Sequence, residues 1–155
     1  MALLDFLKRK PKEFFIESEK ERIVEAVRQA ERRTSGEVRV FVESRCKYMD
    51  AIDRAAELFF SLKMEKTDLR NGVLVYVAIK DKQVAVFGDE GIYKKMTQAF
   101  WDAEVKKMLV QFKNDNIPDG IIAVVNDIGE ALYRNFPYDS SMDKNELPDD
   151  IVFGK

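Results

Sequence analysis

A chain of 155 residues, 46% hydrophobic and 35% charged, has the size and balance of one soluble domain. Its net charge of −2 gives no general pull toward nucleic acid or anionic lipid. With no histidine, Ser-His-Asp, Cys-His and His-ligated metal sites are excluded, and a single cysteine excludes an intramolecular disulfide and a Cys-rich zinc site.

Residues 1–16 read as a short amphipathic N-terminal arm. The acid Asp5 sits within its apolar part and the basic cluster Lys8-Arg9-Lys10 follows, the reverse of a secretory signal. A weak membrane-surface contact through this arm is the one membrane role compatible with the sequence, since no run approaches the ~18 apolar residues of a spanning helix. These features, with the lone thiol of Cys46, point to the cytoplasm.

Residues 17–33 carry Ile23, Val24 and Val27 on one face of a charged helix, stopped at Thr34-Ser35-Gly36. Val38 to Glu43 alternate as a strand, with Val38, Val40 and Val42 on one face and Arg39, Phe41 and Glu43 on the other. Asp50 to Lys63 set Ile52, Ala55, Ala56, Phe59 and Leu62 at helical spacing, with Asp50 placed to cap the start. Val73 to Ile79 are apolar throughout, as in a central strand covered on both faces. A turn around Asp81-Lys82 leads to a return strand over Val84 to Phe87.

Ile92 to Phe112 form one long helix or two short ones, with Ile92, Met96, Phe100, Val105, Met108, Leu109 and Phe112 inward; Trp101 and Phe100 read as core. A loop over residues 114–120 enters a last helix carrying Ile121, Val124, Val125, Ile128 and Leu132, ended by Pro137. Residues 138–155, rich in Asp and Glu, read as a mobile acidic tail. The domain is therefore residues 17–137. Two strands joined through a helix run parallel and the third runs antiparallel, so the expected fold is a three-layer α/β/α sandwich around a small mixed β-sheet.

That topology gathers three polar turns at one end of the sheet: Ser35-Gly36-Glu37, Asp68-Leu69-Arg70-Asn71-Gly72 and Gly88-Asp89-Glu90-Gly91. Glu37, Asp68, Asn71, Asp89 and Glu90 offer hard oxygen donors suited to Ca²⁺ or Mg²⁺, whose charge would relieve their mutual repulsion. The alternative is structural: Asp89 capping the next helix and Asn71-Gly72 serving only as a turn. Arg70 either holds a phosphate bidentately or pairs with a neighbouring acid. No nucleophile–base pair is evident, so no catalytic residue is assigned.

The segments Thr34-Ser35-Gly36-Glu37-Val38, Arg70-Asn71-Gly72-Val73-Leu74 and Gly88-Asp89-Glu90-Gly91-Ile92, with Phe100-Trp101, the Phe112 to Gly120 loop and Phe136-Pro137, resemble the TPM-domain family over about residues 17–137. The resemblance implies a small α/β/α domain that binds a divalent metal, with Asp89 and Glu37 the preferred ligands. Family roles include a chloroplast lumen protein linked to photosystem II repair, with a claimed acid phosphatase activity, and an auxiliary subunit of an ion channel. The chain resembles a stand-alone bacterial cytoplasmic member. The expected function is a divalent-cation-binding, non-catalytic module for a protein partner; the alternative is a metal-dependent acid phosphatase.

Overall fold

The computed structural model describes residues 8–139 and 150–155. After one turn of 3-10 helix over Pro11–Phe14, the elements in order are α1 (Glu17–Arg32), β1 (Glu37–Glu43), α2 (Ala51–Ser61), β2 (Gly72–Ala78), β3 (Gln83–Gly88), α3 (Glu90–Tyr93, a single turn), α4 (Gln98–Lys113), α5 (Ile117–Asn135) and β4 (Ile151–Phe153). The sheet order is β3-β2-β1-β4. β1 runs parallel to β2 and to β4, and β2 runs antiparallel to β3. The α/β/α sandwich is therefore the observed fold.

The alternation along the strands divides the core. Val38, Val40, Val42, Val73, Val75, Val77, Val84 and Val86 face α1, α4 and α5; Phe41, Leu74, Tyr76 and Ala85 face α2 alone. All seven residues of β2 are buried, as its unbroken apolar run requires of a strand covered on both sides. The segment read as one helix or two is two. Asp89 and Thr97 accept hydrogen bonds as the caps of α3 and α4, and Lys94 to Met96 separate them.

Three readings of the sequence need correction. Ile52 and Leu109, placed inward by helical spacing, are exposed; Leu58 is buried in α2 instead, while Met108 and Phe112 are buried in α4 as their spacing implies. Asp50 stands at the cap position of α2 without a side-chain cap bond. The chain's end is not tail throughout. Residues 140–149 lie outside the described residues, but Ile151, Val152 and Phe153 pair with Val40, Phe41 and Val42 to form β4. Three residues are too few to show a period, and their burial comes from β1 and from Phe15, whose ring lies 6.4 Å from that of Phe153. That contact also seats the end of the N-terminal arm on the domain. Among the described residues no helix is long and apolar enough to cross a membrane.

Two predictions follow from the helix layer. A Cβ on Gly129 of α5 would lie 2.7 Å from the Ala30 Cβ and 2.9 Å from its Cα on α1, so the two backbones meet there without room for a methyl group. Gly129→Ala is expected to lower stability by about 1–3 kcal/mol, overpacking outweighing the better helix propensity of alanine; a urea midpoint measures it. Between α4 and α5, the Glu104 carboxyl is 2% exposed and lies beside Asp127 and Lys107. Burial first, and a hydrogen bond with Asp127 second, push its pKa up to about 7. A raised carboxyl pKa favours the folded state fully below the ordinary carboxylate range, and that advantage is lost as pH rises through about 7. Thermal melts should therefore show the protein losing on the order of 1–3 kcal/mol between pH 5 and pH 8, with Glu104→Gln flattening the profile.

Candidate functional site

The register of the sheet builds one acidic end. Glu37 of β1 lies opposite Gly72 of β2, and Val73 lies opposite Gly88 of β3. Two backbone bonds extend the pairing past the strands: Glu37 N–H donates to the Asn71 carbonyl at 3.3 Å, and Asp89 N–H donates to the Gly72 carbonyl at 2.9 Å. Glu37 and Asp89 thus flank Gly72, their Cα atoms roughly 10 Å apart, two strand spacings. Glu37 follows the Phe41 side of β1, the face covered by α2. A Cβ on Gly72 would lie 3.2 Å from the Met64 carbonyl oxygen and 3.5 Å from the Phe59 ring on that face. The bare glycine lets the Met64 carbonyl and the Phe59 ring close over the strand between the two acidic residues.

Asp89 is 3% exposed and carries three donors. Arg70 grips it bidentately, Nε to Oδ2 at 2.7 Å and Nη2 to Oδ1 at 2.9 Å, and the Glu90 N–H donates to Oδ1 at 2.8 Å. The same guanidinium reaches Glu90 at 3.4 Å. These bonds, the one to Asp89 foremost, raise the Arg70 pKa. Both alternatives read from the sequence are present here: Asp89 caps α3, and Arg70 pairs with an acid. Arg70 holds this position from a left-handed backbone, φ 51°, within the turn closed by its N–H on the Thr67 carbonyl. The Gly91 N–H in turn donates to the Arg70 carbonyl at 2.8 Å, seating that turn on α3.

Asn71 takes the other side of the sheet. Its Nδ2 donates to Ser35 Oγ at 3.2 Å, and Ser35 is held by its N–H on the Phe136 carbonyl. Its Oδ1 is buried and accepts no hydrogen bond. Asp68 is exposed in the turn and makes no ion pair among the described residues. Glu90 is exposed at the rim.

The expected ligands therefore share one end of the sheet without all converging. Glu37 and Asp89 flank Gly72, Glu90 stands at the rim beside Arg70, Asn71 faces away, and Asp68 stands apart. Among the described residues no three Asp, Glu, Cys or His side chains stand close enough to hold one ion. The donor chemistry fits a hard cation, but Asp89 carries its counter-charge already, in Arg70.

The sequence reading missed two contributors. Glu65, in the α2–β2 loop, adds to the field at Arg70 and has a buried Oε2 with no hydrogen bond. The Met64 carbonyl carries no side-chain signature; Glu65 could have been found as the acid two residues before the Thr67–Gly72 turn.

The comparisons with known proteins agree with this architecture. A family model described as the TPM domain matches residues 9–131. The solution structure of the BA42 protein from the psychrophilic bacterium Bizionia argentinensis is 40% identical and superposes with a TM-score of 0.82, covering 91% of this chain and 96% of that one. The N-terminal domain of the cg2496 protein from Corynebacterium glutamicum, 14% identical, shares the fold at a TM-score of 0.61 over 76% of this chain and 74% of its own. Comparison with curated proteins gave no match. With the family model matching residues 9–131 and a 40% identical structure sharing the fold, the chain belongs to the TPM-domain family.

Proposed function

We propose that the acidic end of the sheet binds a divalent cation, Ca²⁺ or Mg²⁺, and that the chain works through it as a non-catalytic module for a protein partner. The observation that carries this reading is the buried Asp89 carboxylate, neutralised only by a side chain that itself reaches solvent: Arg70 is 38% exposed. A carboxylate so buried needs a positive partner, and a guanidinium at the rim is one that a bound ion can replace. Asp89 and Glu37 would be the principal ligands, with the Met64 carbonyl, Glu65 and Glu90 supplying further oxygens. The bound ion would supply positive charge that draws the three turns together.

The non-catalytic reading is supported by the side chains. There is no histidine, and Cys46 is buried with its thiol donating to the Met49 carbonyl. Arg70 is spent on Asp89, so a phosphatase mechanism would need it to release that buried acid in order to meet a phosphate.

Titration with Ca²⁺ and Mg²⁺, followed by amide NMR shifts, tests the reading. The amides of Glu37, Asn71 and Asp89 should move, and Asp89→Asn should abolish the change. Arg70→Gln, by removing the competing cation, should tighten binding about two- to fivefold, the worth of a partly exposed ion pair. Unmoved amides, or weaker binding in Arg70→Gln, would count against the cation site. Turnover of p-nitrophenyl phosphate that is lost in Asp89→Ala would replace the module with the enzyme.

A further inference from the structure

At the opposite end of the sheet, roughly 20 Å away along strands of seven residues, the charge reverses. The three parallel strands β1, β2 and β4 all finish there. Their exits are tied together: Ser44 N–H donates to the Lys155 carbonyl at 2.9 Å, Lys80 N–H to the Ser44 carbonyl at 2.8 Å, and Gly154 N–H to the Val42 carbonyl at 2.8 Å. Two clefts open over this junction, of about 520 and 470 Å³, and share Ser44 and Lys155. Crevices outside the carboxyl ends of parallel strands are where such sheets favour ligands, and these volumes lie within the range of small-molecule sites.

The lining is strongly one-signed. Eight cations line the two clefts (Arg9, Lys10 and Lys12 on one side, Arg45, Lys47, Arg54 and Lys80 on the other, Lys155 between), against two carboxylates, Glu43 and Glu57. Both carboxylates are consumed by one residue. Arg54 binds Glu43 through Nε at 2.9 Å and Nη2 at 3.0 Å, and its Nη1 bonds Glu57. Glu43 is buried and also accepts from the Tyr76 hydroxyl. Arg45 is fixed by Asp81, which accepts in addition from the Cys46 N–H and so pins the loop after β1 to the β2–β3 turn. Lys10, Lys12, Lys47 and Lys155 make no ion pair among the described residues. At the rim, Tyr48 is 98% exposed and held outward by a left-handed backbone, φ 70°. A cleft lined by one charge concentrates ions of the other.

We propose that this basic end is a binding site for a ligand carrying clustered phosphates, its oxyanions held by Lys47, Lys155 and the Lys10–Lys12 turn. Tyr48 offers a ring face to the rest of the ligand. Four uncompensated ammonium groups suit a di- or triphosphate better than a single carboxylate. The same phosphate chemistry is presented by a nucleotide and by a polyphosphorylated lipid headgroup, and Tyr48 serves either, by stacking on a base or by entering the headgroup layer. The site does not rest on the cation reading, for it shares no residue with the acidic end.

The test uses the full chain at 150 mM salt without divalent ions. In one arm ATP is added and amide shifts are followed; in the other, vesicles of phosphatidylcholine with 5% phosphatidylinositol bisphosphate are used for co-sedimentation. The expected result is saturable binding in at least one arm, with ATP shifts confined to residues 9–12, 44–49, 80 and 153–155. The variant Lys47→Glu/Lys155→Glu should weaken binding at least about tenfold, as expected when charges facing a polyanion are reversed. Tyr48→Ala, which removes nothing from the core, should weaken it severalfold. Shifts in the ATP arm assign the ligand to soluble nucleotides, and sedimentation without ATP shifts assigns it to the membrane headgroup. Absence of binding in both arms, or binding undiminished in the charge-reversed variant while its melting temperature is unchanged, overturns the proposal.

Discussion

Strand β2 crosses the centre of the sheet with every residue buried, and that burial decides where chemistry can occur. A strand covered on both faces cannot present a charged side chain along its length without a heavy desolvation cost. Polar function is pushed to its two ends. At the start of β2 the antiparallel return of β3 brings Asp89 beside Gly72, and the parallel pairing of β1 brings Glu37 to the other side. At the finish of β2 the neighbours are the exit of β1 and the turn into β3, with β4 beyond β1, and the clefts there are lined mostly by basic side chains. A net charge near zero thus conceals two poles of opposite sign separated by the apolar sheet.

Each pole contains a buried carboxylate gripped by an arginine through two nitrogens, and the difference between them is instructive. Glu43 is also bonded by Tyr76, whose pKa is raised first by burial and then by that bond, while Arg54 is tied to Glu57 as well. The network is closed, and removing one partner would strand a charge in the interior. Asp89 has the backbone N–H of Glu90 and an arginine on an exposed turn. One pair is enclosed by further bonds on both partners. The other lies at the rim, with the arginine 38% exposed.

The architecture was legible where hydrophobic periods were long. The alternation of Val38 to Glu43, the unbroken run from Val73 and the spacing of Ile121 to Leu132 each specify an element and the face it buries. The hairpin turn implied that Gly88 and Asp89 return to the start of β2, so the juxtaposition of Glu37 with Asp89 could be read in advance. β4 could not, because three apolar residues beyond an acidic stretch carry no period and are ordered by β1. Nor could the direction of Asn71, which depends on the bond from its side chain to Ser35 rather than on its place in the turn. The Arg70 pairing was one of two readings of that residue; the structure shows it as a bidentate contact made from a left-handed turn that the sequence does not signal. The basic pole was invisible to net charge, because residues far apart in sequence, such as Lys12, Lys47 and Lys155, meet only through the parallel sheet.

The central claim is that Asp89, beside Gly72, exchanges the Arg70 guanidinium for a metal ion. A crystal structure determined in Ca²⁺ tests it most directly. The account predicts anomalous density between Glu37 and Asp89, within coordination distance of both carboxylates, with the Arg70 side chain turned out to solvent. Calcium bound elsewhere on the surface, with the Arg70–Asp89 pair intact beneath it, would contradict the account.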